Sequence, residues 1–196
     1  MLKKLLLTGF DPFDGEVINP SWEAIREMPP TVNNYALIKL CLPVAFGEAA
    51  KNVITVAEDT CPEVILCVGQ AGGRAAITPE MVGINLRHAQ IPDCRGNRPQ
   101  DEPIIEGGAD AYFSTLPVRK IADAIRAAGL PSQVSYSAGA YVCNDVLYTL
   151  LARYANTNVR VGFIHVPYCT EQRKEPCMDV ESIVKGLCVA IENLDT

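Results

Sequence analysis

The chain has 196 residues, of which 48% are hydrophobic and 20% are charged, and its formal net charge at pH 7 is -6. This composition is ordinary for a soluble globular protein, and the length suits one domain spanning residues 1–196. The acidic balance argues against a nucleic-acid partner, and no apolar stretch reaches the ~20 residues that a membrane span needs.

The N-terminal residues, MLKKLLLTGF, combine two lysines with a short apolar run and have no small-residue cleavage site behind them. This pattern is typical of a buried strand rather than of a signal peptide, so we expect a cytoplasmic protein. The eight cysteines include no C-x-x-C pair, and several, such as Cys67 and Cys188, lie inside apolar runs. We therefore expect free thiols rather than a disulfide framework.

Apolar runs typical of strands alternate along the chain with segments of helical periodicity. The predicted strands cover residues 4–10, 35–42, 64–68, 81–87, 133–137 and 159–166. The predicted helices cover residues 22–28, 46–59, 117–128, 143–154 and a last segment that Asp179 caps and that runs to Leu194. Asn19 and Pro20 offer a cap and a helix-starting proline for the first of them. Residues 89–110, which hold several prolines and glycines, are predicted to form a long loop or hairpin. The alternation predicts an α/β fold with a mostly parallel sheet covered by helices on both faces.

One predicted strand leads into a cysteine that begins a helix. Small residues at 137–140 precede Cys143, which opens the helical pattern of residues 143–154. A helix N-terminus carries partial positive charge, which stabilises a thiolate, and its free N–H groups can bind an oxyanion. Cys143 is therefore a candidate nucleophile, although an arbitrary cysteine in such a setting is more often a packed structural residue.

A candidate base and a candidate carboxylate lie at two other strand ends, where open α/β sheets bind their ligands. His165 stands near the end of the strand 159–166, and Glu80 comes just before the strand 81–87. With Cys143 they would make a Cys–His–acid constellation. On the residues alone, a structural histidine, a solvated glutamate and His88 as the base all remain open.

Two further strand ends offer binding surfaces. Phe10 and Phe13 flank an Asp-Pro pair and could form a flat apolar pocket, or both could belong to the core. Residues 69–74, GQAGGR, allow either a close approach of the backbone to a ligand or a tight turn.

Two other classes of protein stay open at this level. His165, Cys169 and Cys177 could hold zinc, but their spacing matches no common zinc pattern. The glycine-rich segment 69–74 could bind phosphate in a transferase or nucleoside-binding domain, but it lacks the Lys-Ser/Thr of a P-loop.

Six segments, taken in order, resemble the pyroglutamyl peptidase I family, also called pyrrolidone-carboxylate peptidases. They are TGFDPF (8–13), NPSWEA (19–24), GQAGGRAAITPE (69–80), YFSTLPV (112–118), SAGAYVCN (137–144) and GFIHVPY (162–168). The similarity extends from about Lys4 to the last helix and so covers nearly the whole chain.

The resemblance implies a cytosolic cysteine peptidase that removes N-terminal pyroglutamate from peptides through a thioacyl intermediate. It also implies a three-layer α/β/α sandwich, no metal or other cofactor, and a homotetramer as the common assembly. The catalytic residues of the family fall on Glu80, Cys143 and His165. Its pocket for the pyroglutamyl ring falls on Phe10 and Phe13, with the further candidates Gln70, Ile91, Tyr141 and Val142.

The chain departs from the family pattern at four positions. Gln90 stands where the family usually has an arginine that is expected close to the active site. Arg87 lies three residues away, on the opposite strand face if the strand continues, so it is not expected to replace that charge. The other departures are Asp14 for Gly, Ala140 for Thr and Asp145 for His.

Overall fold

The computed structural model describes residues 2–195, in which helices and strands alternate along the chain. The strands in this range are β1 (Lys3–Phe10), β2 (Thr31–Val32), β3 (Tyr35–Leu42), β4 (Val64–Gln70), β5 (Thr78–Pro79), β6 (Val82–Ile84), β7 (Ala111–Phe113), β8 (Arg160–Val166), β9 (Tyr168–Cys169) and β10 (Cys177–Met178). The helices are α1 (Pro20–Glu27), α2 (Glu48–Thr60), α3 (Val118–Ala127), α4 (Val142–Tyr154) and α5 (Val180–Glu192).

Six strands form the central sheet in the spatial order β2, β3, β1, β4, β8, β5. The four inner strands are parallel to one another. The short outer strands β2 and β5 pair antiparallel with their neighbours. Because parallel strands have their carboxyl ends at one edge of a sheet, the chain segments that follow β1, β4 and β8 converge there.

Alternating side chains of the inner strands build a core on each face of the sheet. Leu5 and Leu7 of β1 belong to the core that α1, α3 and α5 cover. Leu6 and Phe10 belong to the core under α2 and α4. Helices therefore cover both faces, and the predicted three-layer α/β/α sandwich with a mostly parallel sheet is confirmed.

Two of the helices begin at the capping residues that the sequence predicts. The side chain of Asn19 accepts a hydrogen bond from the Ser21 N–H, and Pro20 occupies the first turn of α1. The side chain of Asp179 accepts from the Ser182 N–H at the start of α5. These bonds satisfy N–H groups that have no acceptor within the helix. None of the helices in residues 2–195 has the length and apolar character needed to cross a membrane.

Two predicted strands differ from the structure. Residues 133–137 form no strand, and the one bridge within them joins Ser135 to Glu80. The Ser135 hydroxyl bonds to the Ser137 carbonyl, a local bond that competes with a strand ladder. The predicted strand 81–87 is reduced to β6, because the side chain of Asn144 bonds to both backbone groups of Ile84 and to the carbonyl of Leu86.

The first turn of α4 is anchored by two buried polar side chains. Asn144 binds the end of β6, as described, and neither it nor Asp145 is exposed to solvent. One Asp145 carboxylate oxygen accepts from the Gly47 N–H at 2.8 Å, and the other lies 2.6 Å from the Arg87 guanidinium. The helix start is therefore tied to the start of α2 and to the loop after β6.

We expect Asp145→Ala to lower the free energy of unfolding by about 3 kcal/mol, because the Arg87 guanidinium and the Gly47 N–H would lose a buried partner. Urea denaturation measures this change. Glu58→Ala is the matched control, since it removes an exposed ion pair to Arg153 and should cost less than about 1 kcal/mol. Equal losses in the two variants would contradict the anchoring role of Asp145.

Candidate active site

Cys143 is the second residue of α4, at a helix start that no side chain caps. The first backbone bond within this helix runs from the Asp145 N–H to the Tyr141 carbonyl. The N–H groups of residues 142–144 therefore have no acceptor within the helix and are available to a bound group.

Cys143 lies against the end of β4, where the chain is glycine. A Cβ atom built on Gly69 would lie 2.9 Å from Cys143 Sγ and 2.8 Å from the ring of Phe163. Both distances are shorter than a real Cβ tolerates, so the sulfur occupies space that any other residue at position 69 would fill. The absence of a side chain at Gly69 therefore allows the thiol to lie at this position.

His165 and Glu80 are brought together by the antiparallel pairing of β5 with β8. Thr78 lies opposite His165 in this pairing, and the Glu80 N–H continues it by donating to the Phe163 carbonyl at 2.9 Å. His165 Nδ1 lies 2.7 Å from Glu80 Oε1, and both side chains are almost completely buried. Because Nδ1 is engaged, Nε2 is the ring nitrogen left to exchange a proton.

The pKa of the Glu80 carboxyl lies below its ordinary value despite burial. Burial alone would raise this pKa, but the hydrogen bond with His165 outweighs it, and the nearby Ser135 hydroxyl and Arg74 guanidinium act in the same direction as His165. Glu80 is therefore a carboxylate at neutral pH, as the partner of an imidazole requires.

A cavity of about 260 Å³ opens between the strand ends and the start of α4. Its wall includes both Cys143 and His165, while Glu80 lies behind the histidine. The other lining residues that the sequence predicts are Phe10, Phe13, Gln70, Tyr141 and Val142. The ring centroids of Phe13 and Tyr141 are 6.4 Å apart, which gives the cavity an aromatic side.

Ile91, the remaining predicted residue, lies in an adjoining hollow that shares Phe13 and Tyr141 with the cavity. Gln90 lines the same hollow and is exposed. Arg87 is held by Asp145, so it does not supply the charge that the family's arginine would bring.

The sequence pattern missed several residues of the cavity wall, namely Asn19, Val44, Ala71, Gly72, Arg74, Ala138 and Gly139. Asn19 was interpreted only as a helix cap, and Arg74 only as the end of a glycine-rich loop. The available signal is that both lie in segments that follow a strand and hold predicted binding residues, Asn19 after β1 and Arg74 after β4.

The structure also bears on the two alternatives considered above, a zinc site and a phosphate-binding loop. Among residues 2–195 no three His, Cys, Asp or Glu side chains are grouped to hold a metal, so Cys169 and Cys177 do not join His165. In the glycine-rich segment, Gly69 makes room for Cys143 and Phe163, and Gly72 makes room for Tyr168. Side-chain packing therefore explains these glycines without a phosphate.

The surroundings of the Cys143 thiol raise its pKa rather than lower it. Burial raises the pKa of Cys143 to about 12, and the charge of Glu80 acts in the same direction. Arg74 and the backbone amide of Cys143 oppose this increase and do not overcome it. Desolvation therefore has a larger effect on this pKa than the helix start, which we expect to favour the thiolate.

One cavity wall thus holds a thiol together with a histidine that is bound to a buried carboxylate, which is the set of side chains that cysteine peptidases use. The fold and the site together define an α/β cysteine peptidase. The chain belongs to the pyroglutamyl peptidase family, whose model, described as "Pyroglutamyl peptidase", matches residues 3–195. Its activity is the removal of N-terminal pyroglutamate from peptides.

Individual relatives agree with this assignment. The chain is 43% identical to the pyrrolidone-carboxylate peptidase of Brevibacillus brevis and 46% identical to that of Yersinia pestis, in each case over 97% of this chain and 92% of the relative. Among solved structures, pyroglutamyl peptidase I from Bacillus amyloliquefaciens superposes with a TM-score of 0.95 at 41% identity, over 99% of this chain and 95% of that one. Pyrrolidone carboxyl peptidase from Thermococcus litoralis gives 0.94 at 34% identity, over 98% and 93%.

We expect Gly69→Ala to lower the rate of pyroglutamyl-amide cleavage by about 100-fold. The reason is that the new methyl group would displace Cys143 Sγ by up to about 1 Å. Steady-state kinetics on a pyroglutamyl-fluorophore amide measures this effect. Gly107→Ala is the matched control, since a Cβ there meets no atom within 4 Å, although its positive φ adds strain. Full activity in Gly69→Ala would contradict the steric role of Gly69.

We also expect the inactivation of the free enzyme by iodoacetamide to accelerate with pH by about tenfold per pH unit between pH 6 and pH 9. The reason is that a thiol with a raised pKa has a thiolate fraction that grows throughout this range. The second-order rate constant of inactivation, measured without substrate, tests the expectation. A plateau that begins near neutral pH would instead indicate a thiolate already present in the free enzyme.

Proposed function

We propose that Cys143, His165 and Glu80 carry out the hydrolysis of the bond that follows an N-terminal pyroglutamyl residue. The observation that carries this proposal is the 2.7 Å bond between His165 and buried Glu80 at the wall of the cavity that also holds Cys143. The thiol is the nucleophile, the imidazole transfers protons, and the carboxylate orients the ring and stabilises the positive charge that it acquires.

The first half of the reaction forms a thioacyl enzyme. His165 Nε2 takes the proton of the Cys143 thiol as Sγ bonds to the pyroglutamyl carbonyl carbon. The N–H groups of residues 142–144 bind the oxyanion that forms. The C–N bond then breaks, and Nε2 returns its proton to the leaving amine, which departs as the new N-terminus of the shortened peptide.

The second half releases the product. A water molecule loses a proton to His165 Nε2 and bonds to the thioester carbonyl carbon. The C–S bond breaks, the proton returns to Cys143 Sγ, and pyroglutamic acid leaves with its ring intact. The enzyme is thereby restored without any other reactant.

The pyroglutamyl ring is bound by the aromatic side of the cavity. Phe10 and Phe13 contact its faces, and backbone groups at the strand ends form hydrogen bonds with its N–H and C=O. The other residues proposed to contact it are Gln70, Ile91, Tyr141 and Val142. An uncyclised N-terminal glutamate would bring a charged amine and a carboxylate into a mostly apolar space, and the cost of desolvating them explains its rejection.

We expect Cys143→Ser to lose essentially all release of fluorophore from a pyroglutamyl-fluorophore amide, because a serine hydroxyl is a far weaker nucleophile in this site. Cys61→Ser is the matched control, since it changes an exposed thiol. Circular dichroism should give the same fold for both variants. Unchanged activity in Cys143→Ser would reject the assignment of the nucleophile.

The thioacyl intermediate has its own test. With hydroxylamine present, we expect part of the product to be pyroglutamyl hydroxamate, because a second nucleophile competes with water for the thioester. Mass spectrometry of the products measures the partition. A partition ratio that changes with the identity of the leaving amine would contradict a common thioacyl enzyme.

We further propose that residues 1–196 act as one domain, that four copies assemble, and that the protein works in the cytoplasm. The family resemblance supports the tetramer, and the 71% exposed side chain of Phe113 offers apolar surface to a second copy. The eight free cysteines suit a reducing compartment. Light scattering after size-exclusion chromatography should give four times the chain mass of 21.3 kDa; a monomer would reject the assembly.

A further inference from the structure

We propose that Arg74 is a positioning residue that holds Glu80 in the orientation in which it binds His165. Arg74 is the last residue of the glycine-rich segment 69–74 and lines the cavity. No role for it follows from the sequence pattern or from the mechanism above. The inference rests on the proposed roles of Glu80 and His165 and adds a residue that acts through them.

The guanidinium of Arg74 joins three parts of the chain. Nη1 donates to Glu80 Oε1 at 2.7 Å and to Thr78 Oγ1 at 2.7 Å. It also donates to Ser135 Oγ at 3.3 Å, and Nη2 donates to the Ser137 carbonyl at 2.9 Å. One planar group thus fixes both the carboxylate and the segment that leads to Cys143.

The carboxylate of Glu80 depends on this contact because of how its two oxygens are used. Oε1 accepts from both His165 and Arg74, whereas Oε2 is buried without a hydrogen-bond partner among residues 2–195. Without Arg74 the carboxylate would have little to prevent its rotation, and the imidazole would lose its fixed orientation.

Arg74 is also the one lysine or arginine among the described residues that line the cavity. Gln90 is neutral, and Arg87 is bound to Asp145. The positive charge that offsets the buried Glu80 carboxylate from the cavity side is therefore that of Arg74, whose side chain is 29% exposed.

The test compares Arg74→Met with the wild type on a pyroglutamyl-fluorophore amide. We expect kcat to fall by about 100-fold and KM to change by less than about threefold, because the residue orients the base rather than the substrate. We also expect the acidic limb of the pH profile of kcat/KM to move to higher pH. The reason is that Glu80 without its cation is protonated at a higher pH, and its orienting charge is then lost.

Arg119→Met, which removes an exposed arginine from α3, is the matched control and should match the wild type in kcat and in its pH profile. Guanidinium at millimolar concentration is expected to raise the kcat of Arg74→Ala about tenfold, because the free cation can occupy the position of the missing side chain. A merely structural role would not give this recovery. Arg74→Lys should fall between the wild type and Arg74→Met, because an ammonium cannot reach all the acceptors from one plane.

The outcomes separate the inference from the proposed function. If the wild type is active, Cys143→Ser is inactive, and Arg74→Met retains kcat within about twofold with an unmoved acidic limb, the role of Arg74 is overturned while the nucleophile stands. Should Arg74→Met fail to fold, wild-type kcat in Arg74→Lys overturns the role instead. An active Cys143→Ser enzyme would overturn the proposed function itself.

Discussion

The hydrogen bond between Glu80 and His165 is the constraint on which this edge of the molecule depends. A carboxylate without solvent exposure must be paired and bonded, since an isolated buried charge is very unfavourable. The antiparallel strand β5 brings Glu80 back across the end of β8, although it is only two residues long. The loop after β4 then provides Arg74, whose guanidinium binds both the carboxylate and residues 135–137.

Close packing at the same edge explains two glycines of the segment 69–74. Gly69 leaves room for the sulfur of Cys143, and a Cβ on Gly72 would lie 2.1 Å from the hydroxyl of Tyr168. The absence of side chains lets α4 and the chain after β8 approach the sheet end closely. A motif that resembles a phosphate loop in composition therefore serves to bring side chains together.

The sequence pattern predicts the features that depend on neighbouring residues, and it misses the contacts that depend on residues distant in the chain. Capping by Asn19 and Asp179, and the alternating apolar residues of β1, are local patterns and were predicted correctly. The resemblance to a family, rather than any spacing, selected Glu80 as the carboxylate.

Long-range partners account for the differences. The side chain of Asn144 takes the place of a strand partner beside β6, 60 residues away in the chain, so the predicted strand 81–87 ends early. The contact of Arg74 with the Ser137 carbonyl spans 63 residues. Periodicity and propensity contain no information about such pairs, because they describe one segment at a time.

The distribution of charge indicates how the oxyanion is stabilised in the proposed mechanism. Arg74 is committed to Glu80, Arg87 is committed to Asp145, and Gln90 is neutral, so no free cation is left at the described cavity wall. The N–H groups at the uncapped start of α4 therefore carry this stabilisation. Such groups are fixed before the substrate binds and need no reorganisation during the reaction, and the anchoring of α4 by Asn144 and Asp145 keeps them in place.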